Sequence, residues 1–280
     1  MYPRNLLMAY PNGYRIESAL NPHMRDESGR LKVVDFAKAL SEWETLRSTY
    51  VSLGLTVHVI EAKPEWPDMV FCANQTFPFL DSAEKASVVM ARMRSPTREG
   101  EVPLFEKWAR ENGLRVHTLR APGGFEGSGD AIWDFDSMRV FGGYGFRTDA
   151  SVYSELASLI RCEIIPLELR DERFYHLDTC FLTLGKGRAA YVEEAFTQEG
   201  VATLHASFSN LIRIPIAEAL NSFSGNAFCP DGENVVLQAG ATQFTAALRE
   251  AGLRVHEVET REYIKAGGSV FCMKQQLWMR

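Results

Sequence analysis

A cysteine closely preceded by two glycines is the first candidate for chemistry. Cys272 follows Gly267, Gly268 and Ser269, and adjacent glycines permit unusual backbone angles or the close approach of a ligand. In a Val-Phe-Cys-Met run, cysteine alone is most often a small buried hydrophobe. Joined to a distant histidine, it is a nucleophile pattern. Of six histidines, His176 has an informative context. In His176-Leu177-Asp178, alternation places imidazole and carboxylate on one face of a strand, where the acid can fix the tautomer and raise the pKa. A plain surface His–Asp pair is the competing reading. Residues 123–130 read GGFEGSGD, which lacks both GxGxxG and the Walker Lys-Ser/Thr, so phosphate binding has no motif behind it. Glu126 and Asp130 among those glycines instead make a seat for a cation, and Asp68 adds a third acid. Acids, one imidazole and one thiol at a common centre would suit a cationic substrate attacked by a thiolate. Arg147, in GGYGFRTD, is then a candidate for an anionic group at the substrate's other end, against the commoner reading of an exposed arginine.

Such a centre needs elements that converge. Residues 43–60, 107–119 and 244–258 each read as a helix closed by glycine (Gly54, Gly113, Gly252) and followed by Leu-x-Val-His. The glycine suits a left-handed C-cap and the alternation after it suits a strand. In the first helix Phe36, Leu40, Trp43, Leu46 and Tyr50 share a face that reads as core. Residues 153–167 form a weaker copy without the glycine, and 211–215 show only the strand. This predicts five units, with strands near Val57, Val116, Ile164, Ile212 and Val255, packed into one architecture with a shared core. Their uneven spacing predicts a closed ring, read as a single domain. After most of the repeat strands comes a Gly-rich or polar cluster: 67–77, 121–133, 174–182, 219–228 and 266–273. In a ring these clusters meet on the axis. His58, His117 and His256 occupy one shared place in the repeats, which makes them architectural.

The 280 residues, 46% hydrophobic and 24% charged, are too apolar for disorder and numerous enough to bury a sizeable core. Thirty basic against thirty-six acidic residues give a net charge of −6, which argues against nucleic acid as the main partner. No run approaches eighteen apolar residues, so no membrane span is expected, and the five-residue apolar run Leu6 to Tyr10 is too short for a signal-peptide core. Five widely spaced cysteines fit a reduced, cytoplasmic setting. Neither CxxC nor HExxH occurs, so no metal motif is present.

The ordered set of an N-terminal acid cluster, Glu126-Gly-x-Gly-Asp130, His176-Leu-Asp-Thr179 and Gly267-Gly-Ser-x-x-Cys272 resembles the guanidine-modifying (pentein) superfamily. That superfamily includes arginine deiminases, dimethylarginine dimethylaminohydrolases, arginine dihydrolases and amidinotransferases. The resemblance spans nearly the whole chain and implies an α/β fold: a five-bladed propeller of ββαβ units, residues 1–280 forming one catalytic domain. It implies Cys272 as nucleophile, His176 as general acid/base and Glu126 as its carboxylate partner. Asp178 would bind the guanidinium, Asp68 would contact substrate, and Arg147 and Arg94 would hold its α-carboxylate. Asn21, in ALNPHM, matches an asparagine of the dihydrolase branch. So does Asn74, which stands in Pro67-Asp-Met-Val-Phe-Cys-Ala-Asn74 where deiminases and dimethylargininases carry an aspartate; Ala73 likewise replaces an acid of dimethylargininases. Phe271 stands where relatives often carry a basic residue, a loss expected to raise the thiol pKa. The implied activity is hydrolysis at a guanidino carbon through a covalent thiouronium, with no cofactor or metal, on a small arginine-like substrate. Arginine dihydrolase ranks first, then dimethylargininase or deiminase, then amidinotransferase, with a non-catalytic binding protein the distant alternative. A homo-oligomer is compatible with all of these.

Overall fold

The computed structural model describes residues 2–279. Fourteen short strands form five small sheets. β1 (Asn5–Tyr10) pairs antiparallel with β14 (Gln275–Leu277) and parallel with β2 (Thr56–Glu61). The second sheet orders β3 (Thr76–Leu80), β4 (Ala86–Met90) and β5 (Arg115–His117) in the same way, antiparallel then parallel. So does the third, with β6 (Ala131–Asp134), β7 (Arg139–Tyr144) and β8 (Ile164–Glu168). The fourth repeats it with β9 (Phe181–Gly185), β10 (Arg188–Tyr191) and β11 (Asn210–Arg213). The fifth has only the parallel pair β12 (Asn234–Gln238) and β13 (Arg254–Val258), and its antiparallel edge is reduced to the single bridge Phe228–Val236.

Parallel neighbours need a crossover connection, and helices supply it. They are α1 (Phe36–Ser52), α2 (Pro96–Glu99) with α3 (Val102–Glu111), α4 (Val152–Ile160), α5 (Gln198–Ser207), and then, after α6 (Ile216–Asn221), α7 (Thr242–Glu250). α8 (Arg261–Ile264) precedes the glycine turn that leads to Cys272. All five strands expected from the repeats are present. Helix α5, which precedes the fourth of them, is not evident in the sequence: it carries Gly200 in its first turn and buries only Gly200 and Leu204, so its apolar stripe is too thin to show a period. In α1 the buried face is Ala39, Trp43, Leu46 and Tyr50, whereas Phe36 is 43% exposed; the stripe begins one turn later than the aromatic spacing suggested.

The three glycines after the helices all adopt left-handed angles, with φ of 75°, 76° and 80° at Gly54, Gly113 and Gly252. In the copy without glycine, Arg161 caps α4 at φ 54° and ψ 44°, a region that costs a side chain roughly 1–2 kcal/mol. Arg161→Gly is therefore expected to raise stability by about 1 kcal/mol, read as an increase in the urea midpoint. A midpoint that falls would refute it. The repeat histidines are structural in two copies: His58 and His256 donate through Nε2 to Asn5 and Asn234 on the adjacent parallel strands, at 3.0 and 2.9 Å. His117 packs against Phe79 instead.

Candidate active site

Each repeat strand leads into a tight segment, and these segments are tied to one another near the centre of the fold. Cys272 accepts at its carbonyl from Ala73 N (3.1 Å), and Ala73 in turn accepts from Ser128 N (2.8 Å). Leu177 N donates to Asp130 Oδ1 at 3.0 Å. Asn226 Nδ2 donates to the Asp178 carbonyl at 2.9 Å, while its Oδ1 accepts from Ser269 N and Cys272 N at 3.0 and 3.1 Å. The circuit therefore passes through all five clusters. The two glycines before the cysteine are needed for closeness: Gly267 has φ 84°, and a Cβ on Gly268 would stand 2.3 Å from the Phe71 ring.

Around this circuit lies a pocket lined by Asp68, Asn74, Arg98, Arg147, Tyr175 and Cys272, with Leu20, Asn21 and Met24 also in its wall. Its free volume of about 20 Å³ holds roughly one water. His176 Nε2 lies 2.7 Å from Glu126 Oε2, and both side chains are buried. Glu126 also accepts from Arg147 Nη1 (3.3 Å) and from the Arg94 backbone N–H (2.9 Å). Burial pushes the Glu126 carboxyl up, but its bond to His176 and the charges of His176, Arg147 and Arg98 outweigh that and hold it well below the usual carboxylate range. Arg147 is pinned further by the Leu20 carbonyl and by the Tyr175 ring beneath it.

Cys272 Sγ donates to Asp178 Oδ2 at 3.1 Å and accepts from Asn226 Nδ2 at 3.1 Å. Burial, reinforced by the Asp178 charge, pushes the thiol well above its ordinary value. Burial also pushes Asp178 up to about 7. These surroundings favour the protonated thiol, and among the described residues Asp178 Oδ1 is buried without a partner, where a cationic donor would find an acceptor. Burial likewise raises Asp68, against the charges of Arg98 and Arg147.

The family described as "N,N dimethylarginine dimethylhydrolase, eukaryotic" matches residues 13–279. The chain belongs to this family. A dimethylarginine dimethylaminohydrolase of Mycobacterium tuberculosis is 38% identical over 96% of this chain and 84% of its own length. The bifunctional arginine dihydrolase/ornithine cyclodeaminase ArgZ of Synechocystis is 32% identical over 96% of this chain, which spans only 37% of that protein. The crystal structure of the N-terminal domain of ArgZ bound to substrate superposes with TM-score 0.89 at 31% identity, covering 97% of both chains. The relatives named here are hydrolases of guanidino C–N bonds, and the α/β fold is theirs.

Within the family frame, the structure brings together Cys272, His176, Glu126, Asp178, Asp68, Asn74, Arg147 and Asn21. His176 and Asp178 do so differently from expectation: Leu177–Thr179 is a 3-10 turn, not a strand. Asn21 bridges two segments, donating to the Ala266 carbonyl and accepting from His23 N. Arg94 is the exception. Its guanidinium pairs with Asp149 at the surface, 3.1 Å away, and only its backbone reaches the site. Arg98, which sequence reasoning passed over, lines the pocket instead. Asn226 was also missed; its signal was the Ser-Gly-Asn run inside a cluster already singled out, but asparagine in such a run reads as an ordinary turn residue.

Proposed function

We propose that the chain is an arginine dihydrolase: one catalytic unit over residues 1–280, its five sheets closing into a five-bladed α/β propeller, acting on arginine in a reducing, cytoplasmic setting. The five unpaired cysteines support that setting. The orientation of Asn74 carries the choice of activity. Arg98 Nη1 donates to Asn74 Oδ1 at 2.8 Å. A guanidinium cannot accept, so the amide oxygen must face Arg98 and Nδ2 must face away. Among the described residues Nδ2 is buried without a partner, and it lies beside Gly129, which the His176 ring also flanks. A guanidinium presents only donors. A ureido group presents a carbonyl oxygen, which a free N–H can hold.

In the first cycle Cys272 Sγ attacks the guanidino carbon, whose nitrogens rest on Asp178. The arriving cation favours ionisation of the thiol. His176 protonates the departing ammonia to leave a thiouronium, then accepts a proton from the attacking water, and the ureido product frees the sulfur. Held by Asn74, that product is attacked again. A second ammonia leaves, a second water enters, and ornithine and carbon dioxide depart. Arginine and two waters thus give ornithine, two ammonia and carbon dioxide. Asp68, Arg147 and Arg98 line the end of the pocket where the α-amino acid group would lie.

Mass-spectrometric product analysis with arginine tests this. Wild type is expected to give ornithine without accumulating citrulline. Asn74→Asp offers an acceptor in place of the donor, and should lower the ornithine-to-citrulline ratio about 10- to 100-fold, the worth of roughly 1.4–3 kcal/mol at a buried polar group left unpaired. Asn74→Asp making ornithine as cleanly as wild type would overturn the role given to Asn74. The match to the dimethylarginine family and the 38% identical relative support a second reading, dimethylargininase. Citrulline and dimethylamine from dimethylarginine, with arginine untouched, would establish it.

A further inference from the structure

We propose that Lys274, from the face of the centre opposite the substrate pocket, is the positioning residue whose charge favours the Cys272 thiolate. This rests on Cys272 being the nucleophile, not on the identity of the substrate. Lys274 is 1% exposed, among the most deeply buried large side chains in the molecule. A buried ammonium is normally paired, yet among the described residues none accepts a hydrogen bond or forms a salt bridge with Nζ. Nζ instead lies over two aromatic faces, 3.1 Å from the Phe271 centroid and 4.4 Å from that of Phe228. Phe271 is the residue immediately before the nucleophile, so the cation is fixed to the turn that carries Cys272. Cation–π contacts of desolvated groups are worth about 2 kcal/mol, too little to offset burial of an isolated charge that has no other use.

A second cavity of about 40 Å³ is lined by Lys274 together with Phe228, Cys229, Phe271, Gln275 and Trp133, among others. It shares no lining residue with the substrate pocket. At roughly 10–15 Å³ per water it has room for about three or four waters. The ionisable groups whose charges act on Lys274 are Asp178, Cys272 and Cys72, with the Cys229 thiol also lining the cavity. All four are neutral or negative: a thiolate at Cys272 is opposed by Asp178, and among these groups Lys274 is the one that carries positive charge. Burial lowers the ammonium to about 7, against the raising effect of Asp178 and the two thiols. Gaining or losing its proton near neutrality, it becomes most firmly protonated when Cys272 ionises. The lysine and the thiol are therefore expected to titrate as a pair.

The test is the pH dependence of Cys272 alkylation by iodoacetamide, followed by peptide mass spectrometry, in wild type, Lys274→Met and Lys274→Arg. Alkylation reads the thiolate even if arginine proves to be the wrong substrate, so failure here and failure of the dihydrolase reading are separable. The methionine variant is expected to react about tenfold more slowly at pH 7, its midpoint displaced upward by about one unit. Arginine turnover should fall in kcat with KM changed less than twofold, and Lys274→Arg should restore at least part of the alkylation rate. Should Lys274→Met not fold, Lys274→Gln, neutral and able to hydrogen-bond into the cavity, carries the same expectation. A folded neutral variant with the wild-type alkylation profile would overturn the proposal. So would an arginine variant that folds yet reacts like the methionine one, because it would show that shape and not charge is what Lys274 contributes.

Discussion

Arginine turnover by the Cys272→Ala variant is expected to fall by at least about 10⁴-fold, because in the proposed mechanism it removes the covalent nucleophile and leaves only binding and orientation to accelerate the reaction. The size follows from the surroundings of the sulfur. Cys272 is buried, and its Sγ is held between the Asp178 carboxylate and the Asn226 amide, so no water of ordinary reactivity replaces it when it is deleted. Serine is expected to be nearly as inactive. Burial and the Asp178 charge already oppose ionisation of a thiol here, and a hydroxyl is far harder to ionise. Folding is not the cause of the loss: deleting one buried sulfur costs on the order of 1 kcal/mol, so the alanine variant should melt within a few degrees of wild type. Steady-state ammonia release alongside a thermal melt separates the two effects. A folded alanine variant retaining more than about 1% of activity would exclude a covalent role.

Glu126→Gln should damage both stability and turnover. The carboxylate accepts from His176, Arg147 and the Arg94 backbone while fully buried. An amide can satisfy those donors only in part, and it leaves the Arg147 charge without its counter-ion. Breaking a buried pair of this kind costs about 3–5 kcal/mol, and misorienting a general acid/base costs about 10²–10⁴ in rate. The stability effect has a pH signature. The folded carboxyl is depressed below its unfolded value of about 4.3, so its contribution is complete above that value and is lost as pH falls toward the folded one. Urea unfolding of both proteins at pH 7 and near pH 3 should therefore show the gap narrowing in acid. A gap independent of pH would mean that folding does not depress the Glu126 carboxyl, and a gap that widens in acid would mean that Glu126 is protonated in the folded protein at pH 7.

Much of this centre could be read in the sequence because its parts obey local rules. Gly54, Gly113 and Gly252 close helices in left-handed angles that few other residues tolerate, and that repeated signal located three units at once. Cys272, His176 and Glu126 lie in short runs whose order is itself informative. What escaped depended on contacts across the fold. Arg94 and Arg98 stand four residues apart in one polar segment, and nothing local decides which turns inward. The decision is made by Glu101, fully buried, with which Arg98 pairs at 2.9 Å, and by Asn74. Nothing local in the sequence marks Lys274, since only the Phe228 and Phe271 rings, brought together by folding, give it a buried place. Helix α5 escaped for the opposite reason: it buries too little to leave a pattern.

The hydrogen-bond circuit at the centre bears on how the protein comes to life after synthesis. Its links join residues that are distant along the chain: Cys272 to Ala73, Cys272 to Asp178, Glu126 to His176. Each link requires a long loop to close before any local gain offsets the lost chain entropy, and folds dominated by such contacts assemble slowly. No contiguous stretch contains even a rudimentary version of the reactive centre. A partly folded chain therefore has no weak activity to exploit or restrain, and Cys272 meets Asp178, Asn226 and the pocket only when the whole fold has closed around them.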